Sequence, residues 1–141
     1  MGPRFRLESL MRLRRSEQRQ HEFLLQKENA MVNRLLRKIA EFDREILRIS
    51  NAPLHARTGA ELEFDGERVR LLAVGQKELQ GELQSARERQ EIAAAALHNA
   101  WQKRETLEVL QRHEHEAFVK EQTRKQQRRQ DDRFLRDKFN R

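Results

Sequence analysis

Pro3 and Pro53 are the only prolines in this chain of 141 residues, and they leave two long stretches without a helix breaker. Both stretches consist largely of Leu, Arg, Glu, Gln, Ala and Lys, which favour helix, whereas an internal proline would interrupt it. We therefore predict an all-α fold with a first helix at about 4–50, a turn at about 51–60 and a second helix at about 61–139.

The amount of apolar material limits how these helices can pack. Charged residues make up 38% of the chain and apolar residues 36%, which is too little for a wide core but enough for the narrow contact of a coiled coil. We predict one domain, a long antiparallel two-helix coiled-coil hairpin. At 1.5 Å per residue the helices would be ~70 Å and ~120 Å long, so the second helix would overhang. We expect this overhang to fray alone and to be ordered by a partner.

The contact stripe between the helices, which we call the seam, is predicted from apolar residues at steps of three and four. In the first helix it comprises Leu7, Leu10, Leu13, Glu17, Leu24, Met31, Leu35, Ile39, Phe42, Ile46 and Ile49. In the second helix it comprises Leu72, Gln76, Leu79, Leu83, Ala86, Gln90, Ala93, Leu97, Ala100, Arg104, Leu107, Gln111, Glu114 and Phe118. The single tryptophan, Trp101, follows a seam residue, and we interpret it as packing over the start of the first helix.

The turn and its surroundings contain several local signals. Pro53 disfavours helix at the residue before it. Thr58 and Glu61 have the spacing of a capping box that starts the second helix. The Asp-Gly pair at 65–66 predicts an irregular stretch over residues 60–66. Gly75 and Gly81 each cost about 1 kcal/mol against alanine, so the helix is softest there or its backbone is closely approached.

Charge is distributed unevenly along the chain. Residues 1–19 have six basic and two acidic residues, and residues 119–141 have nine basic and four acidic residues. Residues 49–118 have nine basic and twelve acidic residues. In a hairpin both termini lie at one end, so that end would be basic and the turn end mildly acidic. Such a molecule is suited to different partners at its two ends.

Catalytic and metal chemistry find no support in the sequence. The chain has no cysteine or tyrosine, and we find no glycine-rich phosphate loop or catalytic triad. His113 and His115 would lie about 200° apart on a helix and could not share a metal ion. We therefore expect a protein that is not an enzyme, has no cofactor and, lacking a long apolar run, is cytoplasmic.

Three segments resemble the flagellar type III export protein FliJ family. Residues 5–14 read Phe-Arg-Leu-Glu-Ser-Leu-Met-Arg-Leu-Arg, similar to the opening of the family's first helix. Ala100-Trp101 is followed by charged residues and by Leu107 and Leu110, and residues 127–134 read Gln-Arg-Arg-Gln-Asp-Asp-Arg-Phe. The resemblance spans the chain.

This resemblance implies a coiled-coil stalk at the inner face of the cell membrane. Family members bind a hexameric export ATPase (FliI-like), reach a membrane export gate protein (FlhA-like) and escort export chaperones. The family's gate-contacting patch would fall on Leu72, Gln76, Leu79 and Leu83, which are also seam positions. From charge and position near the termini, we predict an ATPase-ring contact at Arg4, Arg6, Arg12, Arg14, Arg128, Arg129, Asp131, Asp132 and Arg133.

Other functions remain open at this point. The same stalk could serve a virulence type III secretion system. The basic C-terminal run could bind nucleic acid, although its interleaved aspartates and its lack of stacking aromatics argue against this. A plain structural spacer is the third alternative. We expect a monomer in the absence of partners.

Overall fold

The computed structural model describes residues 6–53 and 57–140, and within these ranges it contains two helices and no strand. Helix α1 spans Glu8–Ser50 and has 43 residues. Helix α2 spans Gly59–Phe139 and has 81 residues. The predicted all-α class is confirmed, as is the greater length of the second helix.

The helix starts differ from the predicted ones. Helix α1 was expected from about residue 4, but Arg6 and Leu7 form a turn, and the Leu7 carbonyl accepts the N–H of Met11 at 2.8 Å. Arg4 lies outside the described residues. Helix α2 begins at Gly59, and the predicted capping box is present because the Glu61 N–H donates to Thr58 Oγ1 at 3.2 Å. The Thr58 N–H donates to Glu61 Oε2 at 3.4 Å.

The prediction of an irregular stretch over residues 60–66 is wrong, because α2 is helical throughout it. The side chain of Asp65 forms an ion pair with Arg57 instead of turning back onto its own backbone. The Arg57 guanidinium also donates to the Ile49 carbonyl at 3.2 Å. Arg57 thus joins the end of α1 to the second turn of α2 and stabilises the connection between the helices.

The two helices contribute to two compact units, which are described separately. In the unit of residues 20–97, pairing is antiparallel: Glu28 meets Arg89 at 3.2 Å, and Glu45 meets Arg68 at 2.9 Å. Its buried cluster is Val32, Leu35, Leu83 and Ala86, with Met31, Ile39 and Leu79 packed against it. This unit is an antiparallel two-helix hairpin.

The other unit combines the described residues up to Arg19 with those from His98 onward. Its buried residues are Met11 on α1 and Ala100 and Leu107 on α2. Met11 is only 3% exposed, a degree of burial that an isolated helix cannot give a methionine, so the segments of α1 and α2 pack together within this unit.

The predicted seam of α2 agrees with the structure, because every predicted position except Gln111 is buried or half-buried. The predicted seam of α1 is right from Met31 onward. Before Met31, Leu10 and Glu17 are half-buried as predicted, whereas Leu7, Leu13 and Leu24 are exposed. Leu13 and Leu24 are 51% and 48% exposed. The residues that extend the 3.5-residue repeat of Leu35 towards the N-terminus are all buried or half-buried; they are Met11, Arg14, Gln18, His21, Leu25 and Glu28. The repeat of 3.5 residues therefore overrides apolarity in this part of α1.

Gly75 and Gly81 provide a matched pair for testing the packing of α2. A Cβ added at Gly75 would lie 2.9 Å from Cε2 of Phe42, whereas nothing lies within 4 Å of one added at Gly81. We expect Gly81→Ala to raise the free energy of unfolding by about 1 kcal/mol. Gly75→Ala should be less stable than Gly81→Ala by about 1–3 kcal/mol, because the Phe42 ring must move. Urea unfolding followed by circular dichroism measures both; equal stabilisation would show that the Phe42 contact is unimportant.

Candidate functional site

The predicted gate-contacting residues lie in the seam, where α1 covers them. Leu83 is 8% exposed and belongs to the buried cluster. Leu79 packs against that cluster, and Leu72 is half-buried. The Gln76 amide donates to the Ile39 carbonyl at 3.3 Å and to the side chain of Asp43. These four side chains are buried or half-buried, so they offer a partner only a small surface while α1 is in place.

A flank of this part of α2 carries an exposed apolar stripe, which we call the outer apolar face. It consists of Phe64, Leu71 and Val74, which are 67%, 59% and 50% exposed. Their spacings of seven and three residues place them on one side of the helix. Sequence reasoning missed this face because it followed only the stripe that meets α1. The available signal was the heptad interval from Phe64 to Leu71, one position off the seam.

Acidic side chains accompany the outer apolar face. Glu67 and Glu78 follow Phe64 and Val74 by three and four residues and therefore lie on the same side of α2. A hydrogen bond from Arg70 lowers the pKa of Glu67, and the same bond raises the pKa of Arg70. Glu67 is thus ionised at neutral pH. Because Arg70 already pairs with Glu67, the face is mainly apolar, and Glu78 is its acidic side chain without an ion pair to a described residue.

Another acidic residue of this unit is held by two arginines. Glu45 meets Arg48 at 2.6 Å and Arg68 at 2.9 Å. The hydrogen bond from Arg48 is the main cause that lowers the pKa of Glu45. Arg68 lies on α2, so this cluster also joins the two helices near the turn.

The predicted N-terminal ring-contact residues are partly engaged within α1. Arg12 pairs with Glu8 at 3.3 Å. Arg14 is half-buried and pairs with Glu17 at 3.0 Å. Arg6 is exposed and forms no ion pair with another described residue. Only Arg6 among these three combines exposure with freedom from an ion pair.

The predicted C-terminal ring-contact residues lie in an exposed helical stretch. We call residues 119–140 the C-terminal segment; every one of them is exposed. Arg128, Arg129 and Arg133 form no ion pair with another described residue, and neither does Asp132. Asp131 accepts a hydrogen bond from Gln127 at 3.5 Å. The seam ends at Phe118, which is half-buried.

Trp101 is more exposed than the sequence interpretation implied. It is 44% exposed, and its ring stacks on His98 of its own helix with centroids 6.2 Å apart. Leu7, one of the residues that Trp101 was expected to cover, is 39% exposed.

The part of the chain that the structure describes contains no group of His, Cys, Asp or Glu suited to hold a metal ion. Neither α1 nor α2 has a stretch, within those residues, that is long and apolar enough to cross a membrane. The exposed helical surfaces described above are the outer apolar face and the C-terminal segment.

Comparison with known families, curated proteins and solved structures finds no match. The FliJ resemblance is carried by the residues quoted for it, and the partners that it implies stay predictions.

Hydrogen exchange should separate the C-terminal segment from the seam. We expect backbone amides of residues 119–140 to exchange about a hundredfold or more faster than those of residues 79–90, because no side chain packs over them. Mass spectrometry of the isolated protein measures both regions in one sample. Equal protection would mean that the C-terminal segment has a packing partner in solution.

Proposed function

We propose that this protein is a non-enzymatic coiled-coil stalk of the flagellar protein export apparatus. It binds and stimulates a hexameric export ATPase at the inner face of the cell membrane and couples that ATPase to the export gate. Export chaperones are its further partners. The FliJ resemblance names these partners, and the hairpin with its two different exposed surfaces supports the role.

The observation that carries the proposal is the separation of charge between the two units. Residues 20–97 have twelve basic and thirteen acidic residues, whereas the remaining residues have eighteen basic and ten acidic residues. The basic unit includes the exposed C-terminal segment, and the other includes the outer apolar face. Positive charge without ion-pair partners suits an acidic ring interior, because opposite charges steer and align association.

Stimulation would follow from binding one asymmetric stalk inside a ring of six subunits. The stalk presents a different side chain to each subunit, so it stabilises different conformations in different subunits. In this proposal Arg128, Arg129 and Arg133 make the principal contacts. Arg12 and Arg14 contribute less because Glu8 and Glu17 already neutralise them.

The gate contact in this proposal lies on the outer apolar face rather than in the seam. Phe64 and Leu71 are exposed, while Leu79 and Leu83 pack against α1. Both pairs lie in the first part of α2, where the resemblance places the contact. An exposed aromatic residue beside an aliphatic one is the usual core of such an interface.

Charge reversal tests the ATPase contact. We expect Arg128→Glu with Arg129→Glu to raise the stalk concentration needed for half-maximal ATP hydrolysis by about tenfold or more, because two attractive contacts become repulsive. Arg34→Glu with Arg37→Glu is the matched control, since both residues are exposed and form no ion pair with a described residue. Unchanged stimulation by the first variant, or an equal loss of stimulation in both variants, would contradict the ring contact. If the protein stimulated only the ATPase of a virulence secretion system, its function would be assigned to that system instead of the flagellar one.

Truncation of one aromatic residue tests the gate contact. We expect Phe64→Ala to weaken binding to the cytoplasmic domain of the gate protein by about tenfold or more, as loss of an interface anchor does. Phe23→Ala is the control, because Phe23 is equally exposed at 67% but lies on α1. Calorimetric titration gives both affinities. Normal binding by Phe64→Ala would remove the outer apolar face from the proposal.

A further inference from the structure

The seam positions of the C-terminal segment do not suit another helix. Continued past Phe118, the alternating step lands on four charged residues, Glu121, Lys125, Arg128 and Asp132, and becomes apolar again only at Leu135 and Phe139. A partner helix packed there would bury charged side chains where a coiled coil needs apolar ones. The segment is nevertheless helical to Phe139 and fully exposed. A binding partner of the C-terminal segment is therefore expected to be a charged surface rather than an apolar helix.

One side of the C-terminal segment is a basic row. At about 100° per residue, the exposed residues Lys125, Arg129, Arg133 and Arg136 fall within less than a quarter of the helix circumference, over about 16 Å of its length. None of them forms an ion pair with another described residue. Asp132 lies at the border of this row, and Asp131 and Asp137 lie outside it. The row is a strip of four positive charges bordered by one acidic side chain, Asp132.

An apolar edge lies beside the basic row at the end of α2. Leu135 and Phe139 are one turn apart and 50% and 84% exposed. They line a shallow surface groove with Asp132, Arg136 and Asn140, which shows that apolar and basic side chains are neighbours there. Basic residues next to an exposed aromatic at a helix end are the arrangement of helices that lie on membrane surfaces.

We propose that the C-terminal segment binds an anionic phospholipid surface. The helix lies along the surface with the basic row over the phosphate groups, while Leu135 and Phe139 enter the boundary between headgroups and acyl chains. Each basic side chain adds attraction to an anionic surface, and the apolar edge adds burial. A nucleic acid is less suited, because no aromatic residue lies between Phe118 and Phe134 to stack on bases along the row.

The lipid contact does not depend on the proposed stalk function. The two share Arg129 and Arg133, so an anionic membrane and an acidic ring would compete for the C-terminal segment. The apolar edge belongs to the lipid contact alone. Leu135→Ser with Phe139→Ser therefore separates the two, because stimulation of the ATPase in the absence of vesicles reports on the ring contact only.

Vesicle sedimentation tests the proposal with the full chain. Binding is expected to phosphatidylcholine vesicles that contain phosphatidylglycerol, with little binding to phosphatidylcholine alone and a steep fall with added salt. Arg129→Glu with Arg133→Glu should lower the partition coefficient by about tenfold or more. Leu135→Ser with Phe139→Ser, which leaves net charge unchanged, should lower it by about fivefold.

The control variants are Arg34→Glu with Arg37→Glu and, for the apolar edge, Phe23→Ser with Leu24→Ser. They make the same chemical changes at exposed positions of α1, so they should bind vesicles within about twofold of the parent protein apart from the small effect of net charge. Equal losses in test and control variants, or equal binding to neutral vesicles, would overturn the proposal. So would selective capture of labelled RNA with no affinity for anionic vesicles.

Discussion

The hairpin depends on one narrow contact, the seam, whose repeat of 3.5 residues is kept on both helices. Val32 and Leu35 of α1 meet Leu83 and Ala86 of α2 in the buried cluster. No second layer of structure reinforces this contact among the described residues, so both helices must present an inward side chain at every step. This requirement explains why α1 keeps the repeat through Arg14 and His21, although apolar Leu13 and Leu24 lie nearby.

Polar pairs across the seam give the two helices a defined alignment. The Gln90 amide donates to Asn29 Oδ1 at 2.6 Å, and the neighbouring Arg89 meets Glu28 at 3.2 Å. Closer to the turn, Gln76 reaches the Ile39 carbonyl. Sliding one helix by a turn would leave these groups without partners, so polar seam residues favour one alignment at some cost in stability.

The sequence allowed the fold class, the turn, the capping box and the seam of α2 to be predicted, because each has a local or strictly periodic signal. The first half of the α1 seam could not be predicted from such a signal. There the inward residues include Gln18 and Glu28, and only the opposing helix shows that they face inward. The ion pair between Arg57 and Asp65 joins residues on both sides of the α2 start and has no periodic signature in the sequence.

For the same reason, some candidate binding surfaces could be predicted from the sequence and others could not. The exposed C-terminal arginines follow from charge counting alone, whereas Arg12 and Arg14 prove to be neutralised by neighbours one turn away. The outer apolar face was missed because Phe64 and Leu71 are recognisable as a surface only once the seam has a known direction. Which side chains are exposed depends on how the two helices pack, so exposure cannot be predicted from the sequence of either helix alone.

The antiparallel pairing also determines the order in which the chain can be assembled. Arg57 contacts Ile49, eight residues away, while the partners Gln76 and Asp43 are 33 residues apart and Gln90 and Asn29 are 61 apart. Each pair that forms near the turn shortens the loop that the next pair must close, which keeps the entropic cost of every step small. Folding by zipping outward from Thr58 would therefore join Gln76 to Asp43 before it joins Gln90 to Asn29.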